Sequence, residues 1–173
     1  MNDHVLNRSM LDTPYGKMVA LAAQKGLGVL EFMKPNRRDL LTKRFNKWFP
    51  GYEIVDAADD TIAMTREWLA RYFSGEFDRL VSPPLDLRGT GFELKVWEAL
   101  LRIPLGRTVT YGGLAIELGS PGGARAVGSA SRRNPVSLIV PCHRVIGHNG
   151  SLVGYGGGLE VKKALLSLER SNN

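Results

Sequence analysis

Apolar and polar positions give the first eighty residues a clear alternation of textures. Lys17 to Ala23 is almost continuously apolar, as is Leu27 to Phe32, and Gln24-Lys25-Gly26 between them is a turn sequence. That pattern predicts a β-hairpin. Thr13-Pro14-Tyr15-Gly16 marks an earlier turn, so a three-stranded meander is expected. From Asp60 to Phe73 the period changes. Ile62, Leu69 and Tyr72 with Trp68 fall at helical spacing, and Gly75 ends the run. Arg37 and Arg38 read as a solvated face. Nothing in residues 1–80 has catalytic spacing.

Val81 to Gly89 reads as a connector, because Pro83 and Pro84 oppose both helix and sheet ladder. Helix signals then crowd together. Thr90-Gly91-Phe92-Glu93 is a capping-box pattern, opening a helix with Phe92, Val96, Leu100 and Ile103 as its core stripe and Pro104 as its stop. Thr110 can cap a short helix from Tyr111 to Leu118, closed by Gly119. Ser120 as cap and Pro121 at the first helical position predict the next helix, running to about Arg133. Asn134-Pro135 ends it. Two short helices joined by a glycine turn make a helix-turn-helix candidate. The second is built of small residues, Ala124, Ala126, Gly128, Ser129, Ala130 and Ser131, with Arg125 and Arg132 expected on one face. Ser137 to Val140 has the pattern of a short buried strand. A glycine-rich loop, Gly147 to Gly158, precedes a last helix, Leu159 to Arg170, with Val161, Leu165 and Leu168 facing inward. The expected organisation is an N-terminal domain at 1–80, a connector at 81–90 and a C-terminal domain at 91–173.

Composition narrows the chemistry. The 173 residues are 43% hydrophobic, enough for a core, and hold one cysteine, which rules out a disulfide scaffold and fits a reducing compartment. No apolar run approaches the ~18 residues of a membrane span. Met1-Asn2-Asp3-His4 lacks the basic-then-apolar pattern of a secretion signal, so a cytoplasmic location is expected. The net charge of +6 is uneven: residues 1–80 carry 12 Lys+Arg against 11 Asp+Glu, and residues 81–173 carry 11 against 6. A basic half raises the case for a nucleic-acid partner.

The single cysteine lies in that basic half, in Pro141-Cys142-His143-Arg144-Val145. Between Gly119 and Gly150 the charged side chains are Arg125, Arg132, Arg133 and Arg144, with no acid. The thiolate is the reactive form of cysteine, and nearby cations or a histidine favour it. In an extended segment His143 and Cys142 point to opposite sides, so the imidazole reaches the thiol only through a bend or one bridging water. A cysteine protease takes its base from a distant part of the chain. One cysteine and three histidines have no ligand spacing, so no metal is expected. The glycines of the Gly154 to Gly158 loop lack the strand-to-helix setting of a phosphate cradle, so no nucleotide is expected either.

Residues Arg88 to Glu169 resemble, in order, the methylated-DNA–protein-cysteine methyltransferases (O6-alkylguanine-DNA alkyltransferases). The match is carried by Pro141-Cys142-His143-Arg144-Val145, Tyr111-Gly112, Ala124-Arg125-Ala126-Val127-Gly128, Asn134-Pro135, Tyr155 to Leu159, and Leu165-Leu166-Ser167-Leu168-Glu169. The resemblance implies an α+β fold, with a small ribonuclease-H-like α/β domain ahead of a mostly helical domain holding the helix-turn-helix. It implies single-turnover DNA repair: an alkyl group on O6 of guanine, or less readily O4 of thymine, passes irreversibly to Cys142 after the nucleotide is flipped out. His143 would be the base acting through water, Glu169 would polarise it, Tyr111 would donate to the departing base, and Asn134 would hold the turn before the site. Arg125 would fill the gap in the stack, from a helix lying in the minor groove with Ala124, Ala126, Gly128, Ser129, Arg132 and Arg133 against the DNA. Tyr111, Pro135, Ser137, Val145, Tyr155, Gly156 and Gly157 would line the pocket. No cofactor is implied, and the chain would act as a monomer.

The physical demands agree with these roles. A base inside a duplex must be extruded before its O6 substituent can be attacked, and a stacking arginine offsets part of that cost. Two departures from animal relatives stand out: Ser137 and Gly156 occupy pocket-rim positions where those relatives can carry Pro and Ser. The alkyltransferase-like proteins, which bind lesions without transfer, lack the cysteine, and Cys142 argues against that class. A cysteine hydrolase or a plain helix-turn-helix regulator accounts for fewer of the motifs.

Overall fold

A computed structural model describes residues 4–34 and 38–171, which form two compact units divided between Arg88 and Gly89. The opening Met1-Asn2-Asp3 and Arg37, read above, lie outside the described residues, as does the Arg38 side chain.

In the first unit, β1 (Val5–Thr13), β2 (Gly16–Ala23) and β3 (Gly26–Phe32) form the expected antiparallel meander. A fourth strand, β4 (Glu53–Asp56), pairs parallel with β1, giving the order β3-β2-β1-β4. No pattern predicts this strand, because all four of its residues are exposed and it lacks an apolar face. Between β3 and β4 lies α1 (Arg38–Trp48), and after β4 comes α2 (Asp60–Ser74). Strand residues alternate between faces. Val19, Leu21, Ala23 and Val29 pack with Leu6 against Phe45 and Phe49 at the end of α1. Met18, Ala20, Ala22 and Leu30 are buried too, on the opposite face, where α2 packs across β1, β2 and β3. Cover on both sides is why β2 and β3 read as continuous apolar runs. Asp59 caps α2 by accepting from Ile62 N at 2.8 Å, and the helix buries Ile62, Thr65, Trp68, Leu69 and Tyr72.

The connector does not avoid the sheet. Leu85 bridges Leu27, Pro84 O accepts from Leu27 N at 2.8 Å, and Asp86 N donates to Leu27 O at 2.9 Å. A proline cannot donate to a ladder but can accept, so one bridge forms at the end of β3. Arg88 closes this unit, its guanidinium 4.2 Å over the Phe49 ring and bonded to Asp86, Trp48 O and Tyr52 Oη.

In the second unit, Thr90 and Glu93 form the expected reciprocal capping box at the start of α3 (Gly91–Leu101). Its core stripe differs from expectation. Phe92 is 37% exposed, and Trp97 is fully buried, donating from Nε1 to Ala130 O at 3.0 Å. A residue in the first turn overhangs the helix end, whereas one turn later the stripe meets its neighbours. Strand β5 (Val109–Thr110) leads into α4 (Tyr111–Glu117), capped by Thr110 as expected.

The next helix, α5 (Ala124–Arg132), starts three residues later than the Ser120-Pro121 signal predicts. Gly122 has φ 87°, outside the helical region, and Gly123 N bonds back to Ser120 O at 2.8 Å, closing a turn instead. The Ser137 to Val140 segment is buried as expected but is a tight turn, not a strand. Ser137 bridges Val140, and Leu138 has φ 73°, the one positive φ at a non-glycine among the described residues. Burial and β-branching imitate a strand here. Finally, β6 (Val145–Ile146) pairs parallel with β5, and α6 (Leu159–Ser171) ends the unit. Its buried residues are Lys162, Leu165, Leu166 and Glu169, while the expected Val161 and Leu168 are half-buried. Apolar periodicity alone set the expected face, and the buried Lys162 and Glu169 rotate it.

Gly26 has φ 137°, and a Cβ there would stand 2.4 Å from Pro84 O. Gly26→Ala should therefore lower stability by about 2 kcal/mol or more, from backbone strain and overpacking together. Urea unfolding measures it; an unchanged midpoint would mean the connector can move aside freely.

Candidate active site

The site is a tight turn fixed from both ends. Asn134 is buried, its Nδ2 donating to Val140 O at 2.8 Å and its Oδ1 accepting from Val136 N at 3.0 Å. A side chain that can both donate and accept is needed to bridge such a turn. Cys142 N then donates to the same Val140 O at 2.8 Å, starting a 3-10 turn over Cys142–Arg144. The segment is thus bent, not extended. Cys142 remains partly exposed, while His143 is fully buried beside it.

Glu169 comes to this turn from α6, and it is not the solvated carboxylate that its neighbours Lys163 and Arg170 suggest. It is fully buried, and Oε1 lies 2.7 Å from His143 Nε2. Arg144 donates to both oxygens, from Nε to Oε2 and from Nη2 to Oε1, each at 2.9 Å, and Gly106 N donates to Oε2 at 3.2 Å. Arg144 also donates from Nη1 to Ile103 O at 2.7 Å. Burial alone would push the Glu169 carboxyl up; the hydrogen bonds from His143 and Arg144, with their charges, outweigh it and hold it far below the carboxylate range. An ionised Glu169 can only accept, so His143 carries its proton on Nε2 and Nδ1 is the basic nitrogen. Burial keeps the imidazole below its ordinary value; Glu169 opposes that, and Arg144 and Lys162 reinforce it. His143 is therefore an uncharged base at neutral pH.

The β5–β6 pairing brings Thr110 opposite Ile146 and so carries Tyr111 to the site. Tyr111 Oη donates to Val153 O at 3.3 Å. Burial, then the negative charge of an ionised Cys142, raise the phenol, with Arg132 opposing, so Tyr111 holds a proton it can give. The Tyr155 ring meets His143 edge-on at 6.2 Å. Tyr111, Tyr155, Gly156 and Cys142 are partly open, whereas Pro135, Ser137, Val145 and Gly157 are buried. At 3% exposure, Ser137 is not on a rim.

On α5, Arg125, Ala126 and Arg132 are exposed, Ala124, Gly128 and Ser129 half-buried, and Val127, Ala130 and Ser131 face the core. Arg133 turns away from the exposed pair: it forms an ion pair with Glu93 and donates to Ser129 Oγ at 2.7 Å. Among the described residues no group of His, Cys, Asp or Glu has the makings of a metal site, and no helix is long and apolar enough to cross a membrane.

The description "6-O-methylguanine DNA methyltransferase, DNA binding domain" matches residues 91–171. A methylated-DNA–protein-cysteine methyltransferase of Methanosarcina acetivorans is 39% identical over 166 residues, 94% of this chain and 97% of the relative. The chain belongs to this methyltransferase family. A Mycobacterium bovis member is 56% identical over 103 residues, and that match spans 60% of this chain and 62% of the relative's length. Mycobacterium tuberculosis OGT, solved in complex with DNA, has a TM-score of 0.79 at 39% identity, covering 97% of this chain and 94% of that one.

Sequence reasoning missed one charged residue that the structure brings beside the Cys142 turn. Lys162 is fully buried, its Nζ donating to Val145 O at 2.7 Å and Val153 O at 2.8 Å. Val153 O thus accepts from both Lys162 and Tyr111. Burial pushes Lys162 down to about 8, with the negative charge of an ionised Cys142 opposing. Its position four residues before Leu166, on the face that also carries Glu169 nearly two turns later, was the available signal. The usual rule that lysines face water concealed it.

Acid should unfold this protein through the relay. Glu169 and His143 both hold protons less tightly in the fold than in the unfolded chain, whose ordinary values are 4.5 and 6.5. The unfolded chain therefore binds more protons in this range, and stability falls with pH. The His143 contribution declines below about 6.5 and the Glu169 contribution below about 4.5. Urea midpoints between pH 7 and 4 should drop, and Glu169→Gln should flatten the lower part of the curve; an equally steep curve would place the acid sensitivity elsewhere.

Proposed function

We propose that this chain repairs O6-alkylguanine in duplex DNA by moving the alkyl group onto its own Cys142. The observation that carries the reading is the partly exposed thiol on the same tight turn as a buried, neutral histidine held by Glu169. His143 Nδ1 takes the thiol proton through a bridging water. The thiolate then attacks the alkyl carbon, forming a carbon–sulfur bond as the carbon–O6 bond breaks. The bonding pair stays on the purine, which receives a proton from Tyr111. The product is a thioether, which water does not cleave, so each chain reacts once and needs no cofactor. O4-alkylthymine would react by the same displacement, less readily.

DNA would meet the exposed side of α5, with Arg125 filling the space left by the flipped nucleotide and the small side chains of the helix entering the minor groove. Two features support this: the positive balance of residues 81–173 and the exposure of Arg125, Ala126 and Arg132 together. A related OGT of Mycobacterium tuberculosis has been solved with DNA. We read the chain as a cytoplasmic monomer. Arg133, engaged by Glu93, serves the fold more than the DNA.

The direct test is incubation with duplex DNA containing O6-methylguanine, followed by mass analysis. The Cys142 peptide should gain one methylene, at one per chain; repeated turnover without a second protein would overturn the reading. Cys142→Ser should abolish transfer and keep DNA affinity, because a serine hydroxyl is a far weaker nucleophile and touches no phosphate. Arg125→Ala should slow repair in duplex DNA much more than transfer from free O6-alkylguanine; equal losses would put Arg125 in the chemistry or the fold. Arg132→Ala should reduce the salt slope of binding by about one, and Arg133→Ala should act mainly on stability.

A further inference from the structure

Arg144 follows the histidine of the relay and has had no part in the chemistry so far. Its guanidinium is buried, and its bonds are more numerous than packing requires: two to Glu169, one on each oxygen, and one to Ile103 O. A fork matched to a carboxylate fixes orientation as well as charge. With Gly106 N on Oε2, three of the four donors to Glu169 are not His143. A carboxylate serving only to orient an imidazole would need none of them. Its full charge, unscreened at 2.7 Å, would instead hold the imidazole protonated.

We propose that Arg144 is a positioning residue of the relay, holding Glu169 as half of a neutral pair so that His143 is oriented by it without being charged by it. The assignment rests on the transfer reaction proposed above and adds its pH range. Groups facing His143 from each side are few. Glu169 and Lys162 reach it from α6, Cys142 and Arg144 lie on its own turn, and the Tyr155 ring comes from the glycine-rich loop. α3 packs on the turn as well, but its Lys95 and Glu98 are exposed and its Glu93 is bonded to Arg133 and Thr90. Among the described residues the carboxylate bonded to the imidazole is therefore Glu169, and its direct counter-charge is Arg144. If the counter-charge is removed, the Glu169 charge acts alone and His143 becomes a stronger base. It would then be protonated, and useless as a base, at neutral pH.

The experiment is a titration of His143 by NMR in the whole protein, alongside the pH dependence of methyl transfer. Arg144→Gln should raise the His143 midpoint by one to two pH units, on the order expected for a neighbouring buried charge. Transfer should then be at least about tenfold slower than wild type at pH 6, since one unit of pKa is tenfold in the neutral fraction, and recover to within a few-fold at pH 8.5. Arg144→Lys, which keeps the charge but loses the fork, should leave the midpoint within half a unit of wild type. If Arg144→Gln does not fold, Arg144→Gln/Glu169→Gln, which buries no net charge, takes its place and should also titrate within half a unit of wild type. An unmoved midpoint in Arg144→Gln, a rate loss equal at all pH values, or a shift of a unit or more in either charge-balanced variant would overturn the assignment. The NMR titration needs no methyl transfer, so a chain that never accepts a methyl group would fail the proposed function and leave the Arg144 result to stand or fall alone.

Discussion

The C-terminal unit is organised around one buried carboxylate. Glu169 has no solvent contact, and an isolated ionised carboxyl in that position would cost several kcal/mol. It is tolerated because donors converge on it from two parts of the chain, His143 and Arg144 from the Cys142 turn and Gly106 N from the segment before β5, while α6 carries it to them. The same convergence fixes the positions of those parts. Satisfying the carboxylate requires the turn after Pro141 to be tight, α6 to present its end inward, and the chain after α3 to pass close by. Fold and chemistry depend on the same oxygens.

Where the sequence was legible, a local rule had a single reading. The capping box at Thr90 and Glu93, the Thr110 cap, the Asp60–Ser74 helix and the β1–β3 meander each follow from residues within a few positions of one another. The misreadings share a cause as well. Ser120-Pro121 satisfied a rule for helix starts, but the following Gly122 adopts a left-handed conformation that postpones the helix to Ala124. Ser137 to Val140 satisfied a rule for strands because burial selects apolar side chains whatever the backbone does. What distinguishes turn from strand there is the bond network of Asn134, which reaches six residues ahead to Val140.

The site was legible as a set of residues and illegible as an arrangement. Periodicity placed Val161, Leu165 and Leu168 on the inner face of α6 because apolar residues usually occupy it. The actual face carries Lys162 and Glu169, two charges that no hydrophobic pattern would turn inward. Only their partners explain them: Val145 O and Val153 O for the lysine, His143 and Arg144 for the glutamate. The family resemblance supplied Glu169 and could not supply its ion pair with Arg144, which is a matter of geometry.

The positive charges of this unit divide by burial, and the division separates recognition from chemistry. Arg125 and Arg132 are exposed, so any attraction they exert on phosphates is screened within about 10 Å at 0.1 M salt. Arg144 and Lys162 are buried, where screening is slight, and each is tied to a fixed acceptor. Of the two, Arg144 is matched by Glu169, whereas Lys162 is held by two neutral carbonyls and its field reaches the thiol. An ionised Cys142 is the anion that field favours, and it is also the nucleophile the proposed reaction consumes. In the proposed reaction, salt would therefore loosen the hold on DNA while leaving the electrostatics of the thiol almost untouched. The proposed repair would gain from that separation: salt-sensitive contacts would let the chain leave undamaged duplex, while the thiol would keep its electrostatics whether or not DNA is bound.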